Sequence, residues 1–396
     1  MQHSVLNTLA GRINTPAYIF DTDEFAARAR LVREAFGKKT GLCFSIKANP
    51  FLLKHLPDTF QKIEVCSPGE LTVCEQLGID MDMVIFSGVN KTKADVERAM
   101  DDKVGVFTAE SYLHMELINN AALERGIVVP VLVRLTAGSQ FGLDEADVLH
   151  IIDCRSDYAG IEIVGIHYFS GTQKRKAKAV IKELDYLTDF FRKLEAEHGF
   201  HAQRLEYGTG LAVDYFTADA DEAEQARLND ISEKIREVSE QTELTVEMGR
   251  FFAAPCGYYV TKVMDTKTNQ DIHYAIVDGG LNQLKYDGQI QGMQIPVITH
   301  LKGDRTTGET EPKAWTLCGS LCTTADVLAR NAQLTDLQIG DILVFHRTGA
   351  YSVMEGMAIF LSRELPEVYV YSAADGLTMI RRMLLSDPLN TPMLFL

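Results

Sequence analysis

The chain has 396 residues, 46% hydrophobic and 24% charged, an ordinary globular balance at a length that suits two or three domains. No apolar run reaches the roughly 18 residues that a bilayer span requires, and a formal net charge of −16 disfavours nucleic acid and anionic membranes as partners. Seven scattered cysteines and an N-terminus without the basic-then-apolar layout of a secretory signal point to reduced thiols and a cytoplasmic setting. Cys318 and Cys322 lie four apart with no histidine pair nearby, so no structural metal is expected.

The first apolar run, Ala17–Phe20, precedes the first helical stretch and is assigned to the same domain as the C-terminal strands. From there β-rich runs alternate with helical periodicity. Strands are expected over Leu42–Ile46, Ile63–Cys66, Met83–Phe86, Val104–Phe107, Val129–Leu135, Ile163–Phe169, Arg204–Glu206 and Leu244–Glu247. Helices are expected over Asp23–Phe36, Gly69–Leu77, Lys93–Met100, Glu110–Arg125, Asp144–Cys154, Ala177–Glu197 and Asp221–Gln241. Eight strands in even alternation with helices predict an α/β fold with a closed eight-stranded (β/α)8 TIM-type barrel. An open doubly wound sheet is the alternative, but it does not need so regular an eightfold count.

Beyond about residue 255 the texture changes. YYVTKVMDTKTN, DIHYAIVDGG, AWTLCG, DILVFHRTGAYS and EVYVYS read as strands joined by turns, hence a C-terminal β-rich domain. The expected division is an N-terminal strand segment (1–24) joining the β domain, a barrel (25–255) and the β domain itself (256–396).

Catalytic groups of such barrels gather at the C-terminal ends of the strands. The first strand runs into Lys47, and the second ends in Glu64 with Ser67 just beyond. The fifth ends at Arg134, and the sixth carries His167 and Phe169 toward Thr172. The seventh runs into Gly208-Thr209-Gly210, and the eighth ends in Glu247 with Arg250 following. Singly these are ordinary: strand-end lysines are usually surface charges, Gly-Thr-Gly is usually a turn, and Glu-x-Gly-Arg can be a plain ion pair. Together they have a chemical logic. Pyridoxal phosphate needs a lysine made nucleophilic by a lowered pKa, which desolvation behind an apolar strand can provide. Its phosphate needs close backbone N–H groups, which glycines permit. Its ring nitrogen needs a carboxylate if the ring is to withdraw electrons strongly.

At these residues the chain resembles the fold-type III, alanine-racemase-like pyridoxal-phosphate decarboxylases, the family of diaminopimelate, ornithine and arginine decarboxylases. FSIKANP resembles the motif of the cofactor lysine, which implies that role for Lys47. EVCSPGEL resembles the second-strand motif and puts Glu64 and Ser67 beside the cofactor, and Phe141–Leu143 matches the family's FGL. YGTGLAVDY resembles the phosphate loop, with Thr209 where another glycine is usual. EMGR resembles Glu-Pro-Gly-Arg, so the resemblance pairs Glu247 with the ring nitrogen and Arg250 with phosphate. Arg134 takes the place of an arginine that supports the ring's surroundings. CGSLCTTADVL resembles the motif whose cysteine, here Cys322, reaches the partner subunit's site, and Tyr351 takes the place of a phosphate-contacting tyrosine. Lys285 is a further candidate for the substrate carboxylate, against the reading of a surface lysine. The resemblance implies a homodimer with shared sites and an amino-acid substrate.

Two departures matter. Phe169 stands where the family commonly stacks a histidine on the ring, while His167 matches an earlier histidine whose role is structural or catalytic. Thr323 follows the site cysteine where an acid often recognises a distal amino group. A buried ammonium needs an anion, so Thr323 argues against lysine, ornithine and arginine as substrates and weakens diaminopimelate. The patterns His167–Gln173 and Leu321–Asp326 resemble an atypical branch, which includes the butirosin-pathway carrier-protein glutamate decarboxylase and siderophore-pathway decarboxylases. An acyl carrier protein is therefore an expected partner, with Lys174, Arg175, Lys176, Lys178 and Lys182 as docking patch; the alternative is a solvated helix face. Cys322 and Tyr351 can also be read as core residues. A racemase, a non-catalytic regulator and a pyridoxal-phosphate carrier are the rivals. They are opposed respectively by Glu247, by retention of Lys47, Glu247, Arg250, Cys322 and Tyr351, and by the long β domain.

Overall fold

The computed structural model describes residues 1–303, 305 and 311–393; residues 304, 306–310 and 394–396 of the expected β domain lie outside that set. Among the described residues the strands are β1 Ala17–Asp21, β2 Gly41–Ser45, β3 Lys62–Val65, β4 Val84–Phe86, β5 Val106–Ala109, β6 Val129–Leu135, β7 Ile161–Phe169, β8 Arg204–Gly208 and β9 Glu243–Met248. They continue with β10 Gly257–Asn269, β11 Ile272–Val277, β12 Ile298–Leu301, β13 Lys313–Cys318, β14 Val327–Leu334, β15 Ile342–His346, β16 Glu367–Ser372 and β17 Gly376–Arg381. The chain divides into two compact units: Arg28–Val213 with Asp221–Phe252, and Met1–Ala27 with Asp214–Ala220 and Ala253–Leu396.

The first unit is a closed parallel barrel of β2 through β9, in which β9 returns to β2 with Glu247 opposite Cys43. Its strands are buried almost throughout, as expected where one face meets helices and the other fills the barrel. Cys43, Ile85, Val106, Leu132 and Val164 pack together as one apolar cluster of that interior. The crossover helices are stopped and started by local chemistry. Ser67 caps Pro68–Leu77, a Thr92–Asp95 capping box opens Lys93–Asp101, and Tyr112–Arg125 runs from the Ser111 cap to left-handed Gly126. The fourth barrel strand begins two residues later than the sequence pattern indicates. Val104 N–H bonds to Ala99 and Gly105 N–H to Met81, so these residues finish the preceding turn.

The second unit is built on a mixed sheet ordered β14-β13-β11-β10-β1-β16-β17, with β15 joined to β10 and β12. Strand β1 is fully buried, as its apolar Ala17–Phe20 run predicts; it runs antiparallel to β10 and parallel to β16. Helix His3–Ala10 adds Leu6 and Leu9 to the core around Ile19, Val260 and Val344. Each such buried aliphatic side chain contributes about 1.5–3 kcal/mol. No helix among the described residues is long and apolar enough to cross a membrane.

Candidate active site

The barrel mouth holds a cavity of about 230 Å³, lined among others by Lys47, Glu64, Cys66, Arg134, Phe169 and Glu247. Lys47 leaves β2 on a single 3-10 turn, Ile46–Ala48, whose flanking side chains are buried. That anchoring aims the one long polar side chain of the turn at the cavity. Its Nζ lies 2.7 Å from Glu64 Oε2, 3.5 Å from Cys66 Sγ and 3.7 Å from Glu247 Oε1. The lysine side chain keeps 38% exposure while its two acids keep 4% and 7%, so the amine is reachable from the cavity and its counter-charges are not.

Glu247 accepts the Ser45 hydroxyl at 3.1 Å on Oε1 and meets His167 Nε2 at 3.1 Å on Oε2. Burial alone would raise its pKa, but Lys47 and His167 outweigh it and hold the carboxyl well below the usual range. His167 thus serves as an orienting partner of Glu247. Arg134 reaches Glu110 Oε1 at 2.7 Å and places its guanidinium 4.9 Å from the Phe141 ring centre. The Phe-Gly-Leu segment gets there by folding back on β6, with Thr136 N–H donating to Leu143 O and Leu143 N–H donating to Arg134 O.

The turn after β8 has two positions that demand glycine. A Cβ on Gly208 would lie 2.4 Å from the Phe169 ring, and Gly210 has φ +59 with Gly171 O 1.9 Å from where its Cβ would be. Between them Thr209 is buried, and its hydroxyl accepts from Leu211 N–H at 3.4 Å. Lys174 N–H donates to Gly210 O and its ammonium pairs with Glu183 at 2.7 Å, which ties the loop after β7 to the glycine turn. Lys174 is thereby removed from the basic patch; Arg175, Lys176, Lys178 and Lys182 remain exposed. Arg250 is the first residue of the short helix after β9, Ser67 spends its hydroxyl on Glu70 N–H, and Thr172 is exposed.

The remaining sequence candidates belong to the second unit. Cys322 is exposed, and the Thr323 hydroxyl accepts from Ala325 N–H. Asp326 holds their loop by accepting from Leu281 and Leu321 N–H, each at 2.8 Å. Lys285 pairs with Glu355 at 3.1 Å in the open. Tyr351 has φ 66 and ψ −33, a conformation that costs energy for a side-chain-bearing residue and is met mainly where function demands it.

Sequence reading overlooked Ser45, Cys66, Glu110 and Glu206. Glu206 lies on β8 opposite His167, fully interior, and its ligand atoms, those of His167 and those of Glu247 all fall within 4.8 Å of one another. For pyridoxal phosphate the donor set fits: a reachable amine, a buried anion steadied by an imidazole, and a glycine turn at the barrel position where phosphates commonly sit.

Residues 22–254 match the family described as pyridoxal-dependent decarboxylase, pyridoxal binding domain. The L-glutamyl-[BtrI acyl-carrier protein] decarboxylase of Niallia circulans is 26% identical over 391 residues, covering 92% of this chain and 91% of that protein. The diaminopimelate decarboxylase of Vibrio cholerae is 29% identical over 375 residues, covering 87% and 85%. In fold, the diaminopimelate decarboxylase of Helicobacter pylori superposes with a TM-score of 0.83 at 23% identity, over 96% of this chain and 97% of that one.

Proposed function

The chain belongs to the pyridoxal-dependent decarboxylase family, and on that premise we propose which residues perform the reaction and on what class of amino acid. The observation that carries the proposal is the Lys47 ammonium held between Glu64 and Glu247 at the barrel mouth. Bound pyridoxal phosphate supplies an electron sink for the pair left when the Cα–carboxylate bond breaks. Lys47 is its covalent anchor, and Glu64 keeps that amine in place. Glu247 holds a proton on the ring nitrogen, which its anionic state and its His167 contact suit it to do. Phe169 would pack on the ring face, the Gly208–Gly210 turn with Arg250 would take the phosphate, and the Arg134–Glu110 pair would brace the wall. Cys322, exposed on its own unit, would serve the site of a second copy in a homodimer, and Cys322 or Lys47 would give the proton to Cα.

For the substrate we infer an α-amino acid without a distal positive charge, because Thr323 offers a hydroxyl where an ammonium needs an anion. The Niallia circulans relative acts on a carrier-bound glutamyl group. A comparable carrier-bound substrate is supported by Arg175, Lys176, Lys178 and Lys182, exposed around the start of helix Ala177–His198, whose first turn holds no acid. Cations there oppose the helix dipole, so this charge placement serves something other than helix stability.

The test is carbon dioxide release from free glutamate, diaminopimelate and glutamyl-carrier thioester by the purified yellow protein. Release from the thioester is expected, with loss of both colour and activity in Lys47→Ala. Turnover of diaminopimelate alone would overturn the substrate assignment, and racemisation without carbon dioxide would overturn the assigned roles.

A further inference from the structure

Three carboxylates converge on the barrel axis, and the proposed chemistry leaves one of them unused. Glu206 lies on β8 with its Cα partnered to His167 on β7, and it is 2% exposed. Both of its oxygens are buried with no hydrogen-bond partner among the described residues, as is His167 Nδ1. The groups facing it are Glu247 from β9, His167 from β7, Cys43 from β2, Glu64 from β3 and, beyond β2, Lys47. Lys47 is the one firm cation of that set, and Glu64 and Glu247 already share it.

An ionised Glu206 would be a third buried anion without a donor, which a protein interior does not tolerate. A neutral Glu206 has an O–H to give, and its closest polar neighbours are a carboxylate and an imidazole within 4.8 Å. We propose that Glu206 is a positioning residue that keeps its proton in the working enzyme and offers it to Glu247, joining Ser45 and His167 as a third donor that fixes that carboxylate as an anion. Burial first, and then the charges of Glu247 and Glu64, push the Glu206 carboxyl well above the carboxylate range, in the same direction. The proton is shared and not transferred: Glu206 stays neutral, Glu247 stays charged, and the site's charge does not change. Glu206 thereby acts on the cofactor through Glu247 and touches no reacting atom. The inference rests on Glu247 facing the ring nitrogen.

Infrared spectroscopy of the full-length protein from pH 5 to 8 tests it without recourse to turnover. A protonated-carboxyl carbonyl band is expected to persist at pH 8 in the wild type and to vanish in Glu206→Gln. An unfolded glutamate loses its proton above about pH 4.3, so the folded wild type holds a proton that the unfolded chain does not. The contribution of Glu206 to stability therefore falls with pH across this range, and Glu206→Gln should melt at progressively higher temperature relative to wild type as pH rises. Glu206→Leu removes the donor and should weaken pyridoxal phosphate binding by on the order of tenfold or more, whereas the donor-retaining Gln variant should lose less. Absence of the band in wild type at pH 8, or an unchanged band in Glu206→Gln, would overturn the proposal. So would a Gln variant that grows relatively less stable with pH. If the variants fail to fold, the wild-type spectrum alone decides. A wild type that shows the band but binds no cofactor would instead refute the place given to Glu247.

Discussion

Gly208→Ala tests the coupling between the glycine turn and the ring that lines the cavity. An added methyl would sit 2.4 Å from Phe169 Cδ2, 3.1 Å from Cγ and 3.2 Å from Cβ. Ordinary carbon contacts fall near 3.5–4.0 Å, so the ring must withdraw by about 1 Å. The two residues are Cα partners on neighbouring strands of a closed barrel, so the backbones cannot part and the ring has to turn. Overpacking of this kind costs about 1–3 kcal/mol. Because Phe169 faces the cavity, the cost should fall largely on cofactor binding, a weakening of roughly 5- to 150-fold. Titrating cofactor-free protein with pyridoxal phosphate and following the absorbance measures it, with thermal melts to separate global stability. Phe169→Leu removes the clashing edge, so adding Gly208→Ala in that background should cost far less than it does alone. Additive penalties, or a Gly208→Ala protein with wild-type affinity, would falsify the coupling.

Two other perturbations follow from buried charges. Arg134→Met strands Glu110, whose side chain is 5% exposed, and should destabilise the barrel by about 3–5 kcal/mol. Adding Glu110→Leu should restore most of that loss in chemical denaturation, and a double variant no better than the single one would count against the pair. Lys91, buried beside Phe86 and bonded to Gly88 O, has its pKa pulled down by burial to about 8. The unfolded lysine keeps its proton to roughly pH 10.4. Between about 8 and 10.4 the unfolded chain therefore binds the extra proton, and folded stability rises with pH; below 8 the burial penalty is present in full. Urea midpoints from pH 7 to 10 should rise in wild type relative to Lys91→Met, whatever slope the two share from other groups, and parallel curves would rule this out.

The barrel is readable from sequence because its period is regular, and the strand-end positions are readable because a side chain just past a parallel strand has only the mouth to enter. The interior residues are not readable by the same rule. In Arg204–Gly208 the polar–apolar alternation assigns Leu205 and Tyr207 inward and Glu206 outward. Tyr207 instead donates its hydroxyl to Glu183 of helix Ala177–His198 at 2.6 Å, so its face is the helix layer and Glu206 takes the axis. Alternation fails here because both faces of a barrel strand are buried, and polarity no longer distinguishes them. Glu110 is missed for another reason. An acid opening a helical run reads as a favourable first-turn charge, but Ser111 caps that helix and leaves Glu110 to turn toward Arg134.

Motif resemblance has a different blind spot: it does not separate groups that meet the reacting atoms from groups that hold a loop in shape. In Leu-Cys-Thr-x-x-Asp the cysteine is exposed while Asp326 is 2% exposed, with each carboxylate oxygen spent on a backbone N–H. Those two bonds fix the carboxylate to the loop backbone, so Asp326 shapes the loop that Cys322 and Thr323 occupy. His167 and Glu247 divide in the same way. The histidine shares a motif with Phe169 and also borders the cavity, yet its Nε2 is engaged with Glu247 Oε2, and it is Glu247 whose other oxygen faces Lys47. Where its polar atoms face, more than motif membership, therefore marks which residue of a motif can act: both oxygens of Asp326 face backbone N–H groups, whereas Glu247 keeps an oxygen 3.7 Å from Lys47.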